Sequence, residues 1–325
     1  MFLPLSKTAR WRKAFRAAHP CLEQSAAEPE RLRLVLGVGR SGTSWVGQVL
    51  SKAAMRCRCF SEPLFHLKPP LPFHKKADHT AVGYEDLSPE HPLLCAWQLL
   101  ANRQFGGPDV QGLERNDSDW EICLVKEVHA LLGSEGLLRL WKVPTVFILR
   151  DPVYIADSLF AAQTLRTIYL EHEAWAVRQK AFLDRFVPGR QAAVERLFAE
   201  AAGMDERQRI ILGKVMCIQL LHEMFLALAA EFPCARALRY EDLCAAPHEA
   251  FPALAAALSI PWDAAMAAYL ARTTEGDANS DDPYSVMRHT ARQKDRPFKF
   301  LSAAEVASCR NALRTMKGDS GGAGC

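Results

Sequence analysis

The segment Leu32-Arg-Leu-Val-Leu-Gly-Val-Gly-Arg-Ser-Gly-Thr-Ser-Trp45 constrains the fold of this chain more than any other. Residues 32–36 read as a short buried strand, and a helical pattern begins at about Ser44. Between them stand Gly37, Gly39 and Gly42. A strand that feeds a helix through glycines turns backbone amides toward the helix N-terminus. The first N–H groups there have no intrahelical acceptor and the helix dipole is positive, which makes an anion site.

The rest of the chain repeats the strand-to-helix theme. Residues 122–126 and 144–149 read as strands, and the second is nearly all apolar, as expected where a parallel sheet is covered on both faces. Asp151 and Pro152 then supply a cap and a first helical residue. A short strand is expected at about 56–60 and another near 235–240. Long helical patterns fill about 168–200 and 205–231, a helical pair follows 240, and Ser302 with Glu305 forms a capping box before a last helix. Strands alternating with helices imply an α/β fold: a single domain with a central parallel sheet flanked by helices. With the glycine loop after the first strand, its core is expected to be P-loop-like and nucleotide-binding.

Three chemistries compete for the glycine loop. Gly37, Gly39 and Gly42 fit a dinucleotide fingerprint, with Glu62 twenty residues after Gly42. Gly37 and Gly42 also have Walker A spacing, but Thr43 stands where the lysine is needed, and strand 144–149 ends in Arg150 rather than in a Mg²⁺-binding acid. As a loop for a single phosphosulfate, Arg40 supplies a cation, and Ser41, Thr43 and Ser44 supply hydroxyl donors beside Gly42. A long cation at position 40 suits this third reading and is unusual where a pyrophosphate must close onto bare backbone.

A second anchor favours the same reading. Arg150-Asp-Pro, with Ser158 two turns into the next helix, places a guanidinium fork and a hydroxyl where they can grip one phosphate. The bland alternative is an Arg150 paired with Asp151 or a surface acid, and an ordinary helical Ser158. Both motifs in this order, each on a strand-to-helix turn, outweigh it.

At these residues the chain resembles the PAPS-dependent sulfotransferase superfamily, closest to its carbohydrate branch (PAPS is 3′-phosphoadenosine 5′-phosphosulfate). The segment 39–50 resembles that branch's 5′-phosphosulfate loop, Ser61-Glu62-Pro63-Leu-Phe-His66 its acid-proline segment, and 148–158 its 3′-phosphate site. Val125-Lys126 and Arg239-Tyr240-Glu241-Asp242-Leu243 resemble further motifs, so the likeness runs from about 32 to 260. It implies transfer of a sulfuryl group from PAPS to a hydroxyl or amine of a carbohydrate or glycolipid acceptor, without a metal. Arg40, Ser41, Gly42, Thr43, Ser44 and Trp45 would hold the 5′ end of the co-substrate, and Arg150 and Ser158 its 3′-phosphate. Arg40 would also neutralise charge growing on the bridging oxygen. Glu62 is the expected general base, tuned toward neutrality by Pro63, Leu64 and Phe65, with pairing to Arg40 as its structural alternative. His66 is the second candidate base, and His129 a candidate for substrate binding. Tyr240, Glu241 and Asp242 are expected to brace the fold, while Arg292, Lys294 and Arg296 are candidates for the adenosine side.

Composition narrows the other classes. A net charge of +3 over 325 residues lends no support to nucleic-acid binding. No apolar run reaches 18 residues; the best candidate, 210–230, is broken by Lys214, Gln219, His222 and Glu223 and reads as an amphipathic soluble helix. Ten cysteines without secretory features are expected as reduced thiols, and Cys57 and Cys59 with His66, His74 and His79 have no zinc-site spacing. Residues 1–30 form a basic tail in which Lys7, Arg10, Arg12, Lys13 and Arg16 interleave with aromatics. Such a segment can touch an anionic bilayer or remain a solvated tail. The catalytic unit is expected at 31–318, with proline-rich 63–120 as acceptor-side loops and 319–325 as a flexible tail. The traits together suggest a cytoplasmic protein, peripheral at a membrane where its N-terminus makes contact. Two other functions use parts of the same pattern: an NAD(P)-dependent oxidoreductase, and a non-catalytic nucleotide-binding module recruited to membranes.

Overall fold

A computed structural model describes residues 29–54, 57–62, 121–128, 131–161, 177–275 and 297–318. Its centre is one five-stranded sheet, in which every neighbouring pair is parallel. The strands are β1 (Leu32–Leu36), β2 (Cys57–Ser61), β3 (Ile122–Glu127), β4 (Thr145–Leu149) and β5 (Ala235–Arg239). Their spatial order is β2-β3-β1-β4-β5. Each lies where the sequence pattern puts a strand, to within a residue or two.

Parallel neighbours must be joined by crossovers, which cover the sheet on both faces. Alternate residues of the strands therefore feed two separate cores. Val35, Leu124, Val146 and Ile148 pack against α1 (Thr43–Leu50), α8 (Pro247–Ala257) and α9 (Ala264–Glu275). Leu34, Leu36, Val125, Phe147 and Leu149 pack against α3 (Pro152–Ala161), α6 (Glu206–Glu231) and α10 (Ala303–Lys317). Phe147 stacks on Phe225 of α6 with ring centroids 4.6 Å apart.

The remaining helices are α2 (Ser134–Trp141), α4 (Lys180–Phe186), α5 (Gln191–Ala202) and α7 (Tyr240–Ala245). The expected helix over 168–200 is thus divided in its described part. Pro188 lacks an N–H and Gly189 adopts φ 78°, a left-handed conformation that ends one helix before the next begins. The helical pair expected after 240 is a trio, because the six-residue α7 is too short to show a period. Helix α6 is not the amphipathic helix its polar residues suggested. It is buried nearly all round between Ile211 and Phe225, with Lys214, Gln219 and His222 inside. Among the described residues it is the one helix long and apolar enough to cross a membrane, and 67% of its most apolar stretch is covered by the molecule itself.

The strand order locates a crevice. From β1 the chain leaves toward β2, and from β4 it leaves toward β5, on the opposite side. Two adjacent strands whose connections diverge leave a gap between their loops at the carboxyl edge, and open α/β sheets bind ligands there. The loops after β1 and β4 are the glycine loop and the Arg150 segment.

Candidate functional site

The glycine loop is shaped by close packing. A Cβ on Gly37 would lie 2.6 Å from Ser41 Oγ and 2.8 Å from the carbonyl oxygen of Ile148. Gly42 has φ 100°, and a Cβ there would strike the Tyr240 ring at 2.4 Å. Both positions therefore require glycine. The Ser41 N–H donates to the Val38 carbonyl at 3.0 Å, closing the turn before α1. Ser41 Oγ is fully buried and has no hydrogen-bond partner among the described residues. A buried hydroxyl without a partner is uncommon and fits a place reserved for a ligand oxygen.

Of the other loop residues, Ser44 is exposed and Thr43 is buried. The Trp45 side chain turns into the core, 3% exposed, with its ring 4.6 Å from that of Phe251. Its indole N–H donates to Thr273 Oγ1 at 3.0 Å, and its backbone N–H donates to the Gly42 carbonyl at 3.1 Å. Trp45 thus secures α1 from behind.

Arg150 follows β4 and is 9% exposed. Its Nη1 donates to the Arg40 carbonyl at 2.8 Å, and its guanidinium lies 4.6 Å from the centre of the Tyr240 ring. Arg40 Nε in turn donates to Ser158 Oγ at 3.0 Å. The two sequence motifs, 118 positions apart at this contact, form one cationic cluster. Asp151 does not pair with Arg150. Its Oδ1 accepts from Val153 N at 2.9 Å, capping α3, and its Oδ2 meets Arg310 at 2.5 Å.

Glu62 stands just past β2. Its N–H donates to the Lys126 carbonyl at 2.7 Å, and its carboxylate accepts from the Lys126 ammonium. The structural alternative of an Arg40 pair is replaced by this contact with Lys126. Lys126 is 4% exposed, so a buried cation stands beside the candidate base. Pro63, Leu64, Phe65, His66 and His129 lie outside the described residues, as do Arg292, Lys294 and Arg296.

Backbone conformation singles out the same two residues. Four described non-glycine residues have positive φ: Arg40 (73°), Glu62 (51°), Lys142 (49°) and Ser259 (53°). Lys142 and Ser259 end helices, where a left-handed residue is routine. Arg40 and Glu62 do not end helices. Each holds a conformation that costs on the order of 1–3 kcal/mol and that clusters at functional sites.

Three further residues shape the site: Tyr240 and Glu241, expected only to brace the fold, and Lys126, for which no role was expected. Tyr240 underlies both anion loops, touching Gly42 and stacking on Arg150. Glu241 accepts the Asp151 N–H at 2.9 Å, fixing the turn after β4. Lys126 pairs with Glu62. The strand-end motif at 239–243 and Val125-Lys126 flagged them, but only strand adjacency shows what they touch. An acid does end one neighbour of β1: strand β4 runs into Arg150, but β3, the other neighbour, ends in Glu127, a fully buried carboxylate. Its Oε1 accepts from the following N–H, that of Val128, at 2.8 Å.

The seven cysteines described are unbridged, and burial pushes the Cys57 and Cys59 thiols up to about 12. Among the described residues, no group of three or more His, Cys, Asp or Glu side chains could hold a metal ion. A comparison with protein-family models finds no match for this chain, and a search of curated proteins finds none either.

Proposed function

We propose that this protein is a PAPS-dependent sulfotransferase with a P-loop-like core, acting on a carbohydrate or other hydroxyl-bearing acceptor. The observation that carries the reading is the meeting of Arg40, Arg150 and Ser158 at the switch point of the sheet. A ligand with phosphate at one end and phosphosulfate at the other suits two cationic loops on adjacent strands. The N-terminus of α1 and the Ser41 hydroxyl would take the 5′ end. Arg150, Ser158 and the N-terminus of α3 would take the 3′-phosphate, a positioning role. Arg40 stands between the two and would stabilise the leaving phosphate. Glu62, held by Lys126, would accept the acceptor's proton, after which the acceptor oxygen bonds to sulfur as the bond from sulfur to the bridging oxygen breaks.

Strand order weighs against the oxidoreductase. A dinucleotide fold carries its ribose-binding acid about twenty residues after the glycine loop, at the end of the next strand in the chain, and that strand pairs with β1. Here β3 intervenes, so Glu62 stands two strands from β1, about 9.5 Å at the usual spacing.

One observation favours a second reading, a metal-dependent nucleoside triphosphatase: Glu127 ends the strand beside the glycine loop. Its carboxylate is turned onto its own backbone, and Thr43 still replaces the lysine, so this reading ranks below the first.

Thermal unfolding with nucleotides tests the main proposal, since a ligand selective for the folded state stabilises it. Adenosine 3′,5′-bisphosphate should raise the melting temperature well above the effect of adenosine 5′-monophosphate. Equal shifts would remove Arg150 and Ser158 from the site, and a larger shift with NAD would favour the oxidoreductase. Turnover of radiolabelled PAPS with a glycan panel should survive EDTA, because guanidinium groups supply the charge. Loss of turnover that Mg²⁺ restores would promote the triphosphatase reading.

A further inference from the structure

We propose that turn 298–301 and the helix it opens, α10, hold the second anion loop in its binding geometry, with Asp157 as the positioning residue. This rests on the bisphosphate-nucleotide reading above. Asp157 is 2% exposed and lies on α3 immediately before Ser158. Its Oδ1 accepts from Phe300 N at 2.8 Å and Leu301 N at 3.1 Å, and its Oδ2 from Lys299 N at 3.2 Å. Three successive amides converging on one carboxylate form an anion nest filled by the protein's own side chain.

The same C-terminal segment grips α3 at two more points. Phe298 stacks on Tyr154, one turn before Ser158, with centroids 4.5 Å apart and planes 19° apart. Arg310 of α10 meets Asp151 at 2.5 Å, next to Arg150. Two of the grips therefore fall one residue away from each group assigned to the second phosphate. A carboxylate as buried as Asp157 is costly without its donors, so α3 and the turn dock together. Whatever orders Arg150 and Ser158 then stabilises the turn, and the turn favours that ligand by the same factor.

Asp157→Asn tests this, because an amide would set a donor against the converging N–H groups. Relative to the unmodified protein, affinity for adenosine 3′,5′-bisphosphate should fall roughly ten-fold or more and that for adenosine 5′-monophosphate less than about two-fold, within the usual range of coupling between sites. Arg310→Ala, at a partly exposed side chain, should shift the ratio the same way and serves if Asp157→Asn does not fold. In the unmodified protein, the bisphosphate should slow hydrogen exchange at amides 299–301 and the monophosphate should not. A purely structural Asp157 would lower stability and leave the affinity ratio alone. A folded variant with the unmodified ratio, or exchange at 299–301 indifferent to the bisphosphate, overturns the clamp. An unmodified protein that cannot distinguish the two nucleotides overturns the nucleotide reading itself, and the clamp with it.

Discussion

At the residue scale, the proposed function gives Arg150 a holding role and Glu62 a chemical one, and the two roles would separate experimentally. Glu62→Gln keeps shape and hydrogen bonding while removing the proposed base. It should lower turnover by roughly 10²–10⁴-fold and leave co-substrate affinity nearly unchanged. Arg150→Ala removes a charge-assisted fork, so binding should weaken by roughly 1.5–3 kcal/mol, about ten- to a hundred-fold, with less effect on the rate at saturation. Calorimetry and saturation kinetics on each variant give both quantities. A uniform loss in both proteins would mean misfolding, and normal turnover in Glu62→Gln would place the base elsewhere, with His66 next. The residue types of this site were legible because glycine spacing, Arg40 and the Arg150-to-Ser158 interval are local. The partners were not: Glu62 lies 64 positions from Lys126, and no local pattern links them.

At the element scale, strands and caps were readable and helix boundaries less so. Ser302 and Glu305 form the expected capping box: Ser302 Oγ accepts from Glu305 N at 3.3 Å, and Glu305 Oε2 accepts from Ser302 N at 2.7 Å. Arg207 strengthens it, donating Nε to Glu305 Oε1 at 2.6 Å. That guanidinium, then the Ser302 amide and hydroxyl, pulls the Glu305 carboxyl down to about 2. Ser302→Ala should cost about 1 kcal/mol in urea unfolding at neutral pH, the usual worth of an N-cap. No change would mean that the Glu305 contacts with Arg207 and with the amide of residue 302 hold the start of α10 without the hydroxyl. Over 168–200 the helical pattern breaks at Pro188-Gly189, two adjacent helix breakers in the middle of a stretch apolar on both sides.

At the scale of the whole molecule, His222 connects the core to pH. It is 5% exposed on α6, and burial first, then Arg239 and Lys317, pushes its pKa down to about 3. The unfolded chain titrates near 6.5, so below that pH the unfolded state binds a proton that the folded state refuses. The neutral imidazole's contribution to stability is therefore present above about pH 6.5 and lost as pH falls toward 3. Between pH 7.5 and 5 the loss should be about 2 kcal/mol, at about 1.4 kcal/mol per pH unit below 6.5. His222→Leu should remove this part of the slope in unfolding curves at the two pH values. An identical slope in both proteins would show that His222 does not titrate across the transition.

The alternation of strands and helices, the glycine loop between β1 and α1, and the caps of α3 and α10 were all legible in the amino-acid order. All of these depend on neighbours within a few residues: apolar period, backbone freedom and side chains that reach the nearest amides. Tertiary structure alone decided the strand order β2-β3-β1-β4-β5, and with it which loops face one crevice. It set Arg40 against Ser158, Lys126 against Glu62, Tyr240 beneath both loops and Asp157 against turn 298–301. Those contacts follow from how crossovers pack on a twisted sheet, where every strand's burial depends on every other's. No stretch of the chain read alone contains that information.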